Sequence, residues 1–220
     1  MADSLPASDG YASVGMLDHV FTDAIAALRE AFEGAFLERQ AFEEHFQSDV
    51  LLGDLTWETS YGLPGEGSPP RVVAHITLDW PSWSQAMYRR WYLEETLVDL
   101  PAIEIEIVFR AQRMSTMPDH ARVISLAPAT SPLIGNSAME RASLATEISH
   151  PLNDIGRTEY ALEVGYEGLY DLSEETLADG SSTLLDDHFG ALGGWIASTL
   201  VKLGDLAFSY FPPETPDLQT

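Results

Sequence analysis

The sequence predicts a single α+β domain, in which an antiparallel or mixed sheet of about five strands packs against long amphipathic N- and C-terminal helices. Apolar residues recur every three to four positions over 16–46 and again over 185–207, which is the helical period. Between these segments apolar and polar residues alternate, which is the period of a strand. Since no internal repeat or low-complexity linker divides the chain, we expect one domain over 16–211 with flexible ends at 1–15 and 212–220.

The N-terminal helix is predicted by six apolar residues at helical spacing with charged residues between them. They are Leu17, Phe21, Ile25, Leu28, Phe32 and Phe36. Phe42 and Phe46 extend this set after a slip in phase, so we expect either one helix to about Phe46 or a kink between Gly34 and Gln40. The apolar face of this helix requires a partner, which the strands supply.

Five strands are expected between the two helices. Residues 55–61 and 72–80 flank a turn rich in glycine and proline and predict a hairpin. Residues 103–110 alternate large apolar side chains with mostly charged ones, which predicts a strand with one solvated face. We expect 121–127 to pair with that strand, and a last strand over about 158–167.

The remaining segments are a less regular region and the C-terminal helix. Residues 128–157 contain three prolines and two glycines, and we expect one short helix in them, near 137–147. The C-terminal helix follows the polar segment 179–183. Its three inner glycines lower helix propensity, so we expect them to allow close approach to another element. They are Gly190, Gly193 and Gly194.

The charge of the chain is strongly acidic, with 35 Asp and Glu against 11 Lys and Arg and a net charge of −24. Because nucleic-acid binding depends on neutralising phosphates with basic side chains, we expect no nucleic-acid partner. Three explanations of the acid excess stay open: solubility or genome composition, a basic protein partner, and imitation of a nucleic acid. Six of the ten arginines could together bind an anion or an acidic partner if they cluster in space. They lie at positions 71, 89, 90, 110, 113 and 122.

Targeting and catalytic signatures are absent from the sequence. No segment approaches the roughly 18 apolar residues of a membrane span, and the N-terminus lacks a signal-peptide pattern, so we expect a soluble cytoplasmic protein that does not bind membranes. The chain has no cysteine and no histidine pair at metal-binding spacing, and it lacks the usual hydrolase and nucleotide-binding motifs. We therefore expect no cofactor and no metal. His188 follows two aspartates, but its position predicts a half-buried structural histidine.

The segment 80–92 is rich in aromatic residues, with three of the five tryptophans and two of the eight tyrosines. Its spacing predicts a short helix on which Trp83, Met87 and Trp91 pack against the sheet. The other aromatic and basic side chains would form a surface strip of the composition found at protein interfaces or, less commonly, at stacking platforms for sugars or bases. The interface candidates are Trp83, Tyr88, Arg89, Arg90, Trp91 and Tyr92.

The outward face of the predicted sheet is an alternative site because it gathers carboxylates. Paired carboxylates perform acid–base catalysis or hold a divalent cation, although an ordinary solvated sheet face has the same composition. The candidates are Glu58, His75, Asp79, Glu104, Glu106 and Arg110.

The function that these features favour is a non-enzymatic acidic protein-binding module: a chaperone, an adaptor, an immunity-type inhibitor or an assembly component. Its partner would be another protein, such as a basic one, or a second copy of the chain. Two alternatives stay open. One is a carboxylate-dependent hydrolase assisted by a divalent metal. The other is a structural subunit of a larger assembly such as a phage or a secretion machine.

Overall fold

A computed structural model describes residues 14–35, 42–51, 53–63, 69–93, 95–97, 99–151, 156–178 and 183–212. Of the expected flexible ends, 1–13 and 213–220 lie outside this part of the chain. The helices are α1 (Val14–Ala35), α2 (Ser82–Tyr92), α3 (His120–Ile124), α4 (Glu174–Ala178) and α5 (Thr183–Gly204). The strands are β1 (Phe42–Leu51), β2 (Asp54–Gly62), β3 (Val72–Trp80), β4 (Ala102–Met114), β5 (Glu140–Ser149) and β6 (Glu159–Asp171).

The strands form one sheet in the order β1-β2-β3-β4-β6-β5. Every neighbouring pair is antiparallel. The α+β class and the antiparallel sheet are therefore confirmed, while the described sheet has six strands rather than about five. Because β6 lies between β4 and β5, strand β5 forms an edge although it precedes β6 in the chain.

One face of the sheet, called the inner face below, is covered by α1 and α5. The ring of Phe32 on α1 stacks on Tyr61 of β2 with centroids 4.1 Å apart. The ring of Trp195 on α5 meets Tyr166 of β6 edge-on at 5.2 Å. Side chains of this face are almost completely buried, among them Trp57, Ile76, Trp80, Ile107 and Phe109. The hydrophobic core thus lies between the sheet and these two helices, and the outer face is left for polar groups.

Helices α1 and α5 come closest at Gly193. A Cβ atom at this position would lie 2.9 Å from both the carbonyl oxygen of Leu28 and the Cβ of Ala31. A Cβ at Gly190 or Gly194 would meet nothing within 4 Å. The expected close approach is confirmed at Gly193, where only glycine fits without displacement, and is wrong for the other two glycines.

The N-terminal helix is shorter than the sequence predicts. Helix α1 ends at Ala35, and the expected extension to Phe46 is wrong because Phe42–Leu51 forms strand β1, paired with β2. Apolar residues four positions apart lie on one face of a helix and equally on one face of a regular strand, so this spacing does not distinguish the two structures. The expected N-terminal helix is therefore present as α1, and the C-terminal bound expected for it is wrong.

The region between β4 and β6 also differs from expectation. The strand expected over 121–127 is wrong, because the short helix α3 occupies His120–Ile124. The Asp119 carboxylate caps the N-terminus of this helix by accepting a 2.9 Å hydrogen bond from the backbone N–H of Ala121. The helix expected near 137–147 is wrong, because Glu140–Ser149 forms strand β5.

Of the described helices, none is long and apolar enough to cross a membrane.

Candidate binding surface

Helix α2 is joined to the sheet through the buried hydroxyl of Ser84. This oxygen accepts hydrogen bonds from Trp80 Nε1 at 2.9 Å and from the backbone N–H of Ala102 at 2.7 Å. It also donates to the carbonyl oxygen of Ala102 at 2.7 Å. One hydroxyl thereby uses its donor and both of its acceptor positions to connect the end of β3, the start of α2 and the start of β4.

These bonds decide which side of α2 faces the core. Ser84 and Tyr88 are buried, and the Tyr88 ring lies 5.7 Å from the ring of Trp80 and 5.8 Å from that of Trp91. Burial raises the pKa of the Tyr88 hydroxyl, and the nearby Tyr92 acts in the same direction. Trp83, which the spacing places in the packed set, is instead 44% exposed. The buried set thus differs from the predicted one, and Tyr88 is a core residue rather than a surface one.

The remaining interface candidates on α2 do not form one strip. Trp83 and Tyr92 are both exposed, but nine residues at about 100° each set them on opposite sides of the helix. Arg89 is exposed, and Arg90 pairs with Glu95 at 3.0 Å. Trp91 is only partly buried. The structure therefore separates these six candidates into core, paired and dispersed surface positions.

The outer face of the sheet carries a line of directly opposed carboxylates, called the glutamate row below. Glu106 of β4 lies opposite Glu167 of β6, which lies opposite Glu140 of β5. On the other side of Glu106 the line continues through Thr77 of β3 to Glu58 of β2. Directly opposed side chains have Cβ atoms about 4.5–5.5 Å apart, so each glutamate has a like charge or a threonine as its nearest neighbour.

The other sheet-face candidates lie on this same outer face but in different rows. Asp79 is opposite Glu104, and the hydroxyl of Thr56 donates a hydrogen bond to Asp79. His75 contacts the hydroxyl of Ser60 at 2.7 Å. The register therefore places all six candidates on one face without bringing them into one compact group.

Arg110 forms its ion pairs with carboxylates that are not part of the glutamate row. It pairs with Glu163 on β6 and, at 2.6 Å, with Glu147 on β5. Partial burial lowers its pKa, and the hydrogen bonds to the two carboxylates outweigh that effect, so the pKa lies above its usual value. Arg110 stays charged and leaves the charge of the glutamate row unbalanced.

A shallow depression of about 380 Å³ lies beside the glutamate row. Its charged lining consists of Asp79, Glu104, Glu106 and Glu167, and Leu169 adds an apolar side chain that is 50% exposed. Glu104, Glu106 and Glu167 are all exposed. Across the part of the chain that the structure describes, no three His, Asp or Glu side chains are placed to hold a metal ion. The arrangement suits contact with an extended cationic surface more than acid–base chemistry, which needs carboxylates in unlike environments.

The arginines do not gather at one place. Arg89 and Arg90 lie on α2 and Arg110 lies on the outer face, whereas two others meet the segment that follows α5. Arg71 lies over the ring of Tyr210 at 4.9 Å, and Arg122 lies over Phe208 at 5.6 Å. The six arginines of 71–122 therefore do not cluster in space, and the condition for a shared anion-binding site is not met.

The segment 208–211 is fastened to the end of β4, a feature that the sequence does not indicate. The backbone N–H of Phe211 bonds the carbonyl of Arg113 at 2.8 Å, and that of Ser115 bonds the carbonyl of Ser209 at 2.8 Å. Arg113 has a left-handed backbone with φ of 59° at the bulge in β4. Arg157 lies over the ring of Phe211 at 4.1 Å. These contacts hold the segment by backbone pairing and cation–π contacts.

Comparisons with known proteins give no relative of this chain. No family model matches the sequence, and no curated protein or solved structure is significantly similar to it. The geometry of the outer face is consequently the main observation that bears on function.

Proposed function

We propose that the protein is a non-enzymatic binding module whose outer sheet face docks a basic segment of a partner protein. The observation that carries this proposal is the glutamate row, in which Glu106, Glu167 and Glu140 stand directly opposite one another on three adjacent strands. Like charges in this arrangement lower the stability of a sheet. No ion pair within the described residues relieves these three carboxylates, and all three are exposed.

A partner rich in lysine or arginine would remove this repulsion, so binding and charge neutralisation are coupled. The net charge of −24 acts at longer range, because it attracts a cationic partner before contact and accelerates association. Leu169 would add an apolar contact beside the charges. A cationic protein segment that lies across the strands satisfies all of these features.

Two other functions fit the outer face less well. A hydrolase needs one carboxylate that holds a proton and one that does not, which requires unlike surroundings, whereas the row glutamates are all exposed to solvent. Self-association through this face would oppose two acidic surfaces, which is repulsive. A different, basic partner is therefore the best-supported occupant.

The test is a calorimetric titration of the full chain with decalysine as the basic probe. The variant Glu106→Gln/Glu140→Gln/Glu167→Gln removes three charges from the row. The matched control Glu30→Gln/Asp99→Asn/Asp187→Asn removes three charges at exposed positions elsewhere. We expect the row variant to weaken binding by about tenfold or more and to reduce its dependence on salt, with a smaller change in the control. Equal weakening in both variants would mean that only net charge matters, and the proposal would be wrong.

A further inference from the structure

The open edge of the sheet at β5, called the β5 edge below, comprises residues 143–149. Earlier in this strand, Glu140 has Glu167 of β6 on one side and Thr130 on the other. Two backbone hydrogen bonds, of 2.8 and 2.9 Å, flank the second pairing, so the segment 129–131 covers that part of the edge. Within the part of the chain that the structure describes, no backbone hydrogen bond reaches 143–149 from this side. Alternate residues of the β5 edge point their N–H and C=O groups away from β6, and these groups are therefore available to another strand.

The β5 edge lacks the features that protect most edge strands from pairing. Such strands usually carry lysine or proline, or a bulge within the exposed stretch. The β5 edge contains neither residue, and its bulge lies before it, between Arg141 and Ser143. Its one charged residue, Glu147, is paired with Arg110 at 2.6 Å. In a chain with a net charge of −24, this stretch therefore carries no unpaired charge.

The inner face of the β5 edge is partly apolar. Leu144 lies opposite the buried Val164 of β6 and shares its inner face. Thr146 and Ile148 follow at strand spacing and lie on the same face. Leu144 packs against the core, whereas Ile148 is 55% exposed. An apolar side chain is therefore exposed beside the open backbone groups, and a partner strand with an apolar residue opposite Ile148 would cover it.

A second copy of the chain fits this edge in one register. Directly opposed residues of an antiparallel pair point to the same side, so a two-fold axis between two copies must pass through a residue rather than between two residues. An axis at Thr146 pairs all seven residues of the β5 edge. Any other axis shortens the pairing, because the bulge lies before Ser143 and β5 ends at Ser149. An axis at Glu147 would also oppose two like charges.

The side chains that meet in this register are compatible. Ile148 lies opposite Leu144 of the second copy, and this apolar contact occurs twice. Glu147 lies opposite Ala145 of the second copy, so no like charges are directly opposed. We infer that two copies of this chain pair through their β5 edges into one continuous antiparallel sheet, with the two-fold axis at Thr146.

The size and charge of the interface determine how this dimer responds to salt. A strand of seven residues spans roughly 23 Å, which gives a small interface of the size class of transient complexes. Each copy carries a net charge of −24, and the repulsion between the copies opposes pairing. Because salt screens this repulsion, self-association strengthens as salt is added, whereas the binding of a basic partner weakens.

The first test is sedimentation velocity of the full chain between about 5 and about 500 µM, at about 50 mM and about 500 mM sodium chloride. We expect a monomer–dimer equilibrium whose dissociation constant falls at least about threefold at the higher salt concentration. Ile148→Lys should raise this constant by about tenfold or more, because it replaces the apolar contact with an edge lysine.

The matched control is Leu169→Lys, which makes the same change of charge on β6, away from the edge, at a residue of similar exposure (50%). We expect it to leave the dissociation constant within about twofold of the wild type. A chain that stays monomeric under all these conditions, or equal effects of the two substitutions, would overturn the inference.

A cysteine at the two-fold axis tests the register. The sequence has no cysteine, so a disulfide in a single-cysteine variant joins two copies. In Thr146→Cys the two new Cβ atoms face each other at about 4.5–5.5 Å, close to the separation in a disulfide. In Ser149→Cys six residues of strand, roughly 20 Å, separate the two cysteines. We expect at least about tenfold more disulfide-linked dimer from Thr146→Cys on mild oxidation, and equal cross-linking of the two variants would overturn the inference.

The dimer does not depend on the proposed function, because it uses the edge of the sheet rather than the outer face. The two-fold axis is perpendicular to the sheet, so both outer faces stay open on the same side. If the chain dimerises while decalysine does not bind, the docking face is wrong and the dimer stands. If decalysine binds and depends on the glutamate row while the chain stays monomeric, the dimer is wrong and the docking face stands.

Discussion

The indole Nε1 of Trp80 donates a 2.9 Å hydrogen bond to the hydroxyl of Ser84, and this bond sets the rotation of helix α2 on the sheet. The same hydroxyl bonds both backbone polar groups of Ala102, so it satisfies three buried groups from two strands. A single polar atom thus decides which aromatic side chains of α2 are buried and which remain on the surface.

The first prediction concerns this hydroxyl. Ser84→Ala leaves the indole N–H and the backbone groups of Ala102 buried without their partner, and we expect a loss of about 3 kcal/mol in the free energy of unfolding. The control is Ser82→Ala at the exposed first residue of the same helix, expected to change stability by less than about 0.5 kcal/mol. Urea unfolding followed by circular dichroism measures both. Equal stabilities would show that Ser84 does not hold the helix.

The second prediction separates core from surface on α2. Tyr88→Ala empties a buried site between Trp80 and Trp91 and should cost about 3 kcal/mol, whereas Tyr92→Ala should cost less than about 1 kcal/mol because Tyr92 is 51% exposed. Thermal unfolding of the two variants gives the comparison. If Tyr92→Ala were the more damaging substitution, the rotation of α2 described above would be wrong.

The third prediction uses two glycines of one helix. In Gly193→Ala the new methyl group meets the backbone of α1, so we expect a loss of about 1–3 kcal/mol. In Gly190→Ala it meets nothing within 4 Å, so the better helix propensity of alanine should raise stability by about 0.5–1 kcal/mol. Denaturant midpoints of the two variants should therefore move in opposite directions. A rise for Gly193→Ala would contradict the close packing of α1 and α5.

The fourth prediction compares two glutamates of β6. Glu167→Gln removes a like-charge contact of the glutamate row and should raise stability by about 0.5 kcal/mol, while Glu163→Gln removes the partner of Arg110 and should lower it by about 0.5 kcal/mol. Both effects should shrink between about 10 mM and about 1 M salt, as the Debye length falls from about 30 to about 3 Å. Differential scanning calorimetry at the two salt concentrations tests this. Two changes of the same sign would contradict it.

The fifth prediction concerns alkaline pH. Burial raises the pKa of Tyr88, Tyr166 and Tyr170 above that of free tyrosine. Because the pKa of each buried tyrosine is higher in the folded than in the unfolded state, folding favours the protonated phenol. The stability that depends on the protonated phenol is fully present below about pH 10, the pKa of free tyrosine, and is lost as the pH rises through the folded-state pKa. Urea unfolding between about pH 8 and pH 11 should show the decline, and Tyr88→Phe should make it less steep. An unchanged slope in Tyr88→Phe would rule out its contribution.

The sequence predicts the strands that bury one face and solvate the other. Residues 72–80 and 103–110 alternate because most of their apolar side chains point to the helices, and they lie within or coincide with β3 and β4. Strand β5 could not be predicted in this way, since most of its side chains on both faces are exposed at the sheet edge and no apolar alternation results. The alternation is missing in β5 because this strand lies at the edge of the sheet, and that edge position depends on strand pairing that the local sequence does not encode.

In the candidate site, too, some features could be predicted from the sequence and others could not. Alternation places Glu104 and Glu106 on the solvated face, but the directly opposed glutamates depend on β6 lying between β4 and β5, which spacing along the chain does not encode. The burial of Ser84 depends on Ala102, 18 residues away. The residue types that make a surface could thus be read from the sequence, and their neighbours across strands could not.

The fastening of the segment 208–211 to the end of β4 has a consequence for the order of folding. Ser115 is bonded to Ser209, which is 94 residues further along the chain, and α5 covers the core just before that segment. Contacts of such long sequence separation form slowly, because a large loop must close first. A nascent chain therefore cannot cover its core or fasten this segment until α5 and residues 208–211 have left the ribosome. We expect the domain to fold after its synthesis rather than strand by strand during it.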